Sequence, residues 1–360
     1  MDHFEKKQLS SVIDSGWFTE SIKTKKFEKM FAEFTGSKYT CAVTSGTSGL
    51  YLALLAAGIK YNDEVIVPDL TFVASPNSVI ATGGKVILCD IEKQTLNLDL
   101  EKLEKKITKK TKAIMTVNFN GRNTDMKLLN EISKKHNLTL IEDAAHSLGS
   151  YYKNKHQGTI SDLGVFSFST PKIITTGQGG MITTNNKQLF ERCCELKDFG
   201  RKIGIKKNMK KAFEHDTIGY NFKFTEFQAA IGISQMEKLQ KRIKIKKNMF
   251  KKYHELLNNV RGIEFIETDL KKITPWMMDV ILESKKKKNQ LISFLEKSNI
   301  ETRIFYPGIH NLKPYKQPNS KFVNSSLISD RGLWLPSSVT LNNDQVELIC
   351  NKIKKFFNQN

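Results

Sequence analysis

Residues 111–143 read TKAIMTVNFNGRNTDMKLLNEISKKHNLTLIED: a β-rich run, a helical stretch and a second β-rich run ending on two acids. The second run is apolar up to those acids, which predicts a strand buried on both faces. The same order extends outward. Upstream come KYTCAVT then GLYLALLAAG, DEVIVP then SPNSVIATGG, and KVILCDI then DLEKLEKKI; downstream come GVFSF, MITT and a helical LFERCCELKDFG. Strands alternating with helices at this spacing predict an α/β fold, a large, mostly parallel (mixed) sheet covered by helices on both faces. At 360 residues, against ~150 per domain, the chain has room for two units. Met236, Leu239, Ile243, Phe250, Tyr253 and Leu257 keep helical spacing and predict one long helix leading to the second unit. There GIEFIE, WMMDVIL, NQLISFLEKSN, ETRIFYP and DQVELICNKIKKFF read as a smaller C-terminal α+β domain, so the expected division is residues 1–240 and 241–360.

Hydrophobic residues at 39% and charged residues at 26% suit a globular chain rather than a disordered one. Cys41, Cys89, Cys193, Cys194 and Cys350 form no CxxC pair and no Cys/His cluster has zinc spacing, so neither a disulfide framework nor a metal site is expected. MDHFEKKQLSSVIDSGWF contains no apolar leader core, and the longest apolar run, Gly49–Ile59, falls short of the ~18 residues a bilayer demands. The expected setting is the reducing cytoplasm, without a membrane. Lys and Arg outnumber Asp and Glu by 57 to 37, a net +20 that raises nucleic acid, lipid or small anions as partners. Eight of the fifteen residues in Lys238–Lys252 are basic, and Lys285–Lys288 is a second run. Arg, the better base reader, is scarce, and no nucleic-acid motif accompanies the runs. They are expected to be mainly solvated helix faces and loops, with no nucleic acid bound.

Three segments carry candidate chemistry. In AVTSGTSGLYLAL, Ser45-Gly46-Thr47-Ser48-Gly49 joins a β-run to a helix, and small hydroxyl residues at a helix N-terminus suit a phosphate; a plain helix cap is the bland alternative. In LTLIEDAAHSLGS, Glu142 and Asp143 end the buried strand, where an unpaired carboxylate is costly and calls for a cation, unless Asp143 merely caps a helix. The carboxyl ends of parallel strands are also where such sheets bind ligands. In GVFSFSTPKIITTGQGGMITT, Lys172 follows a buried run and precedes a Thr/Gly-rich bend, away from the amphipathic helices that carry the other runs. A desolvated amine has a lowered pKa, and its neutral form makes a Schiff base with an aldehyde. Phosphate cradle, acid and lysine, with Phe72 of VPDLTFVAS as an aromatic face, together meet the needs of pyridoxal 5'-phosphate.

With these residues assembled, the chain resembles the sugar aminotransferases of the DegT/StrS type, fold-type-I pyridoxal phosphate enzymes built like aspartate aminotransferase. The likeness rests on SGWFTES, FEKMFAEFTGSKY, SGTSGLYLALLAAGI, NDEVIVPDLTFVAS, IEDAAHSLGS, FSFSTPKIITTGQGGMITTN, IGYNFKFTEFQAAIGISQMEKL, ETRIFYPGIH and WLPSSVTLNNDQV, spread over nearly the whole chain. The resemblance implies that Lys172 binds the cofactor's aldehyde carbon and then shuttles a proton. It implies that Asp143 pairs with the pyridine nitrogen, Phe72 stacks on the ring and His146 lies beside its hydroxyl. Gly46 and Thr47 would hold the phosphate with Ser167, which precedes Lys172 by five positions as the family's phosphate serine precedes its lysine. Asn221 of GYNFKFTE would reach the cofactor of a neighbouring subunit, which implies a homodimer. Trp17 and Thr19, with Arg303, Tyr306 and His310 of TRIFYPGIH, fall in segments that border the sugar-nucleotide site of relatives.

The implied activity is transfer of an amino group from L-glutamate to a nucleotide-linked keto sugar, foremost a 4-keto-6-deoxyhexose. Its place would be amino sugar and surface polysaccharide synthesis, such as lipopolysaccharide O-antigen. Relatives with His at the lysine position dehydrate sugars instead, an alternative that Lys172 disfavours. A non-catalytic nucleic-acid-binding protein on the same fold is disfavoured by intact Lys172, Asp143 and Ser167. Two departures stand out: Ser48-Gly49 at the helix start, and FNGR at Phe119–Arg122, which is similar to perosamine-synthase-like members and is expected to alter substrate contacts.

Overall fold

The computed structural model describes residues 1–203 and 213–359. Along the chain run the strands β1 (Tyr39–Val43), β2 (Glu64–Pro68), β3 (Lys85–Cys89), β4 (Thr111–Val117), β5 (Thr139–Asp143), a short hairpin of β6 (Tyr151–Tyr152) and β7 (Lys155–His156), then β8 (Leu163–Ser167) and β9 (Gly180–Thr184). All but the hairpin join one seven-stranded sheet in the order β1-β9-β8-β5-β4-β2-β3. Strand β9 is antiparallel to both its neighbours, β1 and β8, and every other pair is parallel. Helices α1 (His3–Ser15), α2 (Ile22–Thr35), α3 (Gly46–Ala56), α4 (Ala74–Ala81), α5 (Leu100–Glu104), α6 (Met126–Lys135), α7 (Lys187–Lys197) and α8 (Glu226–Glu237) cover it.

Successive strand residues alternate between cores. Val65, Val67, Ala113, Met115, Ile141, Val165 and Ile182 share one with Leu50, Leu52 and Leu54 of α3 and Cys193 and Leu196 of α7. Their neighbours Ile66, Ile114 and Leu140 pack instead with Leu100 and Leu103 of α5 and Leu129 and Ile132 of α6. Ala42, Phe166 and Met181 meet Phe27 and Phe31 of α2 and Ala229 and Ile233 of α8. Burial of both faces is why these strands read as apolar runs rather than alternating ones.

The second unit holds α9 (Leu239–Leu257), β10 (Ile263–Glu264), β11 (Met278–Leu282), α10 (Lys285–Glu296), β12 (Arg303–Ile304), α11 (Val323–Arg331), β13 (Gly332–Leu335) and α12 (Asn343–Gln359). Its four strands are antiparallel in the order β10-β11-β13-β12. Met278, Val280, Leu282, Leu333 and Leu335 pack with α9 and α12. The alternate residues Ile281 and Trp334 join Trp276, Phe305 and Phe119 in the core that contains Phe27 and Phe166, so the two sheets share apolar packing. The helix expected from Met236 onward is two helices, because α8 ends at Glu237 and α9 starts at Leu239. Helix α8 buries most of its residues, Glu226 and Gln235 among them, and packs on α1 and α2, whereas α9 buries one side.

FNGR turns out to clamp the two sheets. Asn120, at φ 52°, accepts from the Met277 N–H at 2.7 Å and donates to the Met277 carbonyl at 3.0 Å. Arg122 is buried and gives two N–H groups to Asp279 at 2.6 and 3.0 Å. A Cβ on Gly121 would stand 2.7 Å from the Thr274 carbonyl, and φ there is +82°, so only glycine fits. The expected substrate contact is corrected: these four residues tie β4 to the second unit, and none of them lines the main cavity.

The basic runs are corrected in part. Lys241, Lys244, Lys251, Lys285 and Lys286 are exposed as expected. Lys246 instead is buried, donating to the carbonyls of Trp276 at 2.8 Å and of Ser337, and burial lowers its pKa to about 8. Lys238 pairs with Glu5 at 2.7 Å, and Lys288 is buried with its amine 3.1 Å from the Ser329 carbonyl. A lysine stem is apolar enough to pack if its tip finds acceptors, which a charge count does not register. Among the described residues no helix is long and apolar enough to cross a membrane, and no His, Cys, Asp and Glu group has the makings of a metal site.

Removing one partner of a buried ion pair strands the other charge, at a cost of ~3–5 kcal/mol. Asp279→Ala is expected to lower the unfolding free energy in urea by ~3–5 kcal/mol, and a loss below ~1 kcal/mol would show the clamp to be dispensable.

Candidate active site

Val117, Asp143 and Ser167, the last residues of β4, β5 and β8, and Thr71 and Phe72 just beyond β2, open into one cavity of about 260 Å³. Ser45, Gly46 and Thr47 at the start of α3 form another wall, and Trp276, Arg303 and Tyr306 come from the second unit. The carboxyl edge of a parallel sheet is where βα loops converge, so a cavity there collects side chains from distant segments.

Neighbouring residues on a strand point to opposite faces, and the two acids part accordingly. Glu142 accepts N–H groups of Gly158 at 2.7 Å, Ile160 at 2.9 Å and Ser161 at 3.1 Å, with the Asn118 amide at 3.0 Å, so it anchors a loop without the expected cation. Asp143 lines the cavity and accepts from the Ser75 hydroxyl at 2.7 Å and the Ala145 N–H at 3.2 Å. Burial raises its pKa, opposed by those bonds and by the charge of Lys172.

Ser45 caps α3: its Oγ accepts the Ser48 N–H at 3.0 Å while the Ser48 hydroxyl accepts the Ser45 N–H at 3.0 Å. The capping box fixes where the helix begins and leaves the first N–H groups, those of Gly46 and Thr47, without helical acceptors. A Cβ on Gly46 would come 2.9 Å from Ser167 Cβ, so glycine is what brings the helix end and the Ser167 hydroxyl together. Gly49 has its own reason, since a Cβ there would press 2.7 Å against Val165. The result is an anion cradle of backbone donors and hydroxyls.

Lys172 points its Nζ at the Trp276 ring, 4.1 Å from the centroid. The side chain is half-buried on the cavity wall. Burial drives its pKa down to about 7, against the opposing charge of Asp143 and with help from Arg303. His146 is buried, stacks on Trp276 at 3.9 Å, and its Nδ1 has no partner. Burial, then the charges of Lys172 and Arg303, push its pKa well below the usual 6.5, so it is neutral.

The cavity therefore assembles Gly46, Thr47, Phe72, Asp143, His146, Ser167, Lys172, Arg303 and Tyr306. Phe72 is 49% exposed, with its ring 5.4 Å from that of Tyr306. Trp17, Thr19 and Asn221 are exposed and stand outside the cavity of their own chain. His310 does not line it either, which corrects its reading as a substrate residue. It is fully buried, with Nδ1 2.6 Å from Asp69 and its N–H donating to the other Asp69 oxygen at 2.8 Å, so it pins the loop after β2. Trp276, Ser169 and Gln178 line the cavity and were not singled out from sequence. For Ser169 and Gln178 the available signal was closeness to Lys172 in the chain. Trp276 offered none, because its contact with Lys172 spans the two units.

An amine with a pKa near 7 is protonated and inert below that pH and reactive above it, whereas an ordinary lysine needs pH ~10.4. Competitive acylation of the cofactor-free protein, read by mass spectrometry, is expected to give Lys172 a labelling midpoint near 7. A midpoint shared with the surface lysines would contradict the confinement.

The profile of the DegT/DnrJ/EryC1/StrS aminotransferase family matches residues 1–354. Relatives include the GDP-perosamine synthase of Escherichia coli O157:H7, 38% identical over 355 residues, covering 98% of this chain and 95% of that protein. The GDP-perosamine synthase of Vibrio cholerae is 37% identical over 363 residues, covering 99% and 97%. Among solved structures, the putative sugar aminotransferase Spr1654 from Streptococcus pneumoniae in its PMP form matches with a TM-score of 0.94 at 25% identity, over 100% of this chain and 98% of that one. The cavity fits pyridoxal phosphate on its own chemistry: an anion cradle, a buried acid, an unpartnered buried His146 Nδ1 and a lysine amine whose pKa burial lowers to about 7. The chain belongs to the DegT/DnrJ/EryC1/StrS aminotransferase family and is a pyridoxal phosphate-dependent sugar aminotransferase of fold type I.

Proposed function

We propose that the enzyme moves an amino group from L-glutamate to a nucleotide-linked 4-keto-6-deoxyhexose. The observation that carries the reading is the meeting of Lys172, Asp143 and the Gly46, Thr47 and Ser167 cradle in one cavity. Near-full-length likeness to two GDP-perosamine synthases supports a guanosine diphosphate handle and amination at C4, perosamine being a 4-amino-6-deoxy sugar.

When bound, pyridoxal phosphate supplies an electron sink that acidifies the C–H bond beside the amine. The N–H groups of Gly46 and Thr47 and the hydroxyl of Ser167 would hold its phosphate. Asp143 would face the ring nitrogen and keep a proton there, a pairing that would offset the burial opposing its charge. Lys172 Nζ, whose pKa burial lowers to about 7, would hold the cofactor through its aldehyde carbon, with loss of water, and would be the group that carries the proton there. Phe72 would cover the ring face, and His146, whose Nδ1 has no partner, would lie on the hydroxyl side. Asn221 would reach a neighbouring subunit's site in a homodimer, which its exposure outside its own cavity supports, and Trp17 and Thr19 would border the sugar-nucleotide site. Residues 1–240 carry the cofactor, and residues 241–360 bring Trp276, Arg303 and Tyr306 to it. The +20 charge suits a phosphate-bearing cofactor, a dicarboxylate donor and a diphosphate acceptor, all met in the cytoplasm.

Lys172→Ala is expected to stay colourless with added cofactor and to lose aminotransfer by at least ~100-fold; a yellow, active variant would defeat the assignment. Wild-type enzyme given L-glutamate and a panel of nucleotide-linked keto sugars should yield the aminated GDP-linked product by mass, whereas loss of water from the sugar would favour a dehydratase.

A further inference from the structure

We propose that Trp276 is the positioning residue for Lys172, its ring being where the charged amine rests whenever it is not joined to the cofactor, an inference that rests on the aminotransfer role of Lys172. A residue of the second unit thereby tunes the reactivity of a lysine carried by the first. Among the described residues Lys172 Nζ has neither a hydrogen bond nor an ion pair, and it stands over the Trp276 ring, 4.1 Å from the centroid. The indole itself is fixed from several directions. It is buried, its N–H donates to the Pro171 carbonyl at 2.7 Å, and it stacks on His146 at 3.9 Å. The Lys246 amine holds its backbone carbonyl at 2.8 Å. Pro171 immediately precedes Lys172, whose own backbone N–H donates to the Ser169 carbonyl at 3.0 Å. The bend that carries the lysine and the ring that meets its tip are therefore hydrogen-bonded to each other.

Magnitudes decide what such a contact is for. A carboxylate in direct contact would raise the amine's pKa by about 1–3 pH units and take up its N–H groups. A ring face favours the ammonium by only about 0.4–1.5 pH units. Burial, the largest influence on this amine, disfavours its charge, while Asp143 favours it and Arg303 opposes it. His146 and Tyr306 complete the surroundings, and both are neutral, since burial pushes the pKa of the one down and of the other up. The ring adds a support small enough to leave the amine free to lose its proton near neutrality. A lysine that must give up a proton and take it back needs a resting place of that strength.

Competitive acylation of the full-length, cofactor-free protein tests this, with fluorinated tryptophans placed at position 276 alone. Fluorine withdraws electron density from the ring face while leaving the shape of the indole and its N–H to Pro171 in place. From tryptophan to trifluorotryptophan the Lys172 labelling midpoint is expected to fall stepwise, by about 0.4–1.5 pH units in all, because the ammonium loses its support. The midpoints of the surface lysines should not move. A Lys172 midpoint that stays where it is would make the ring a bystander, and one that rises toward the surface lysines would mean that Trp276 serves only to keep water out. Either result overturns the inference. Because no cofactor takes part, the aminotransfer reading survives both. That reading falls, and this role with it, if Lys172→Ala binds the cofactor as a yellow, active enzyme.

Discussion

A carboxylate at the end of a strand buried on both faces must meet hydrogen-bond donors or lose its charge. Glu142 and Asp143 obey that constraint in opposite directions, and the site follows from the difference. Glu142 is saturated by the N–H groups of the loop at residues 158–161, and so fixes the path by which β8 enters the sheet. Asp143, one residue on and on the other face, is left with two donors and a cavity. The chain from β8 then returns Ser167 and Lys172 to that cavity, so the loop anchored by one acid delivers the lysine that faces the other.

A second dependence runs between the units. Trp276, Phe305 and Trp334 sit in the core that begins under the large sheet, and Arg122 and Asn120 clamp Asp279 and Met277. Because the apolar contact is continuous and the polar clamp is buried, the second sheet is held in one position. That position places Trp276 against both Lys172 and His146 and sets Arg303 at the cavity. Glu226 accepts the N–H groups of Ser21, Lys23 and Thr24, capping α2 from α8 where α2 has no side-chain cap of its own. The segment with Trp17 and Thr19 is thereby tethered beside the large domain.

Much of this was legible in residue order because it is local. Strands, helices and the mixed sheet follow from runs of β-formers and periodic apolar positions, and β9 was readable as MITT without its direction being readable. Lys172, Asp143 and the Ser45–Gly49 turn announced themselves by flanking context. FNGR, His310 and Lys246 were misjudged for one shared reason: each owes its role to a partner far along the chain, at Asp279, Asp69 and the Trp276 and Ser337 carbonyls. Polar residues in loops and basic residues on helices look solvated until the partner that buries them is known.

The sequence by itself determined the α/β class, the family and the cofactor. Those properties reside in residue types at short spacings, where propensity, capping and strand-end position act without reference to the rest of the chain. Only the tertiary structure decided which charges are free to act. Burial and partner choice lower the pKa values of Lys172 and His146 and retire Glu142 and His310 to structural duty. Charge state depends on the dielectric and on every neighbour in space, and those neighbours are chosen by the fold.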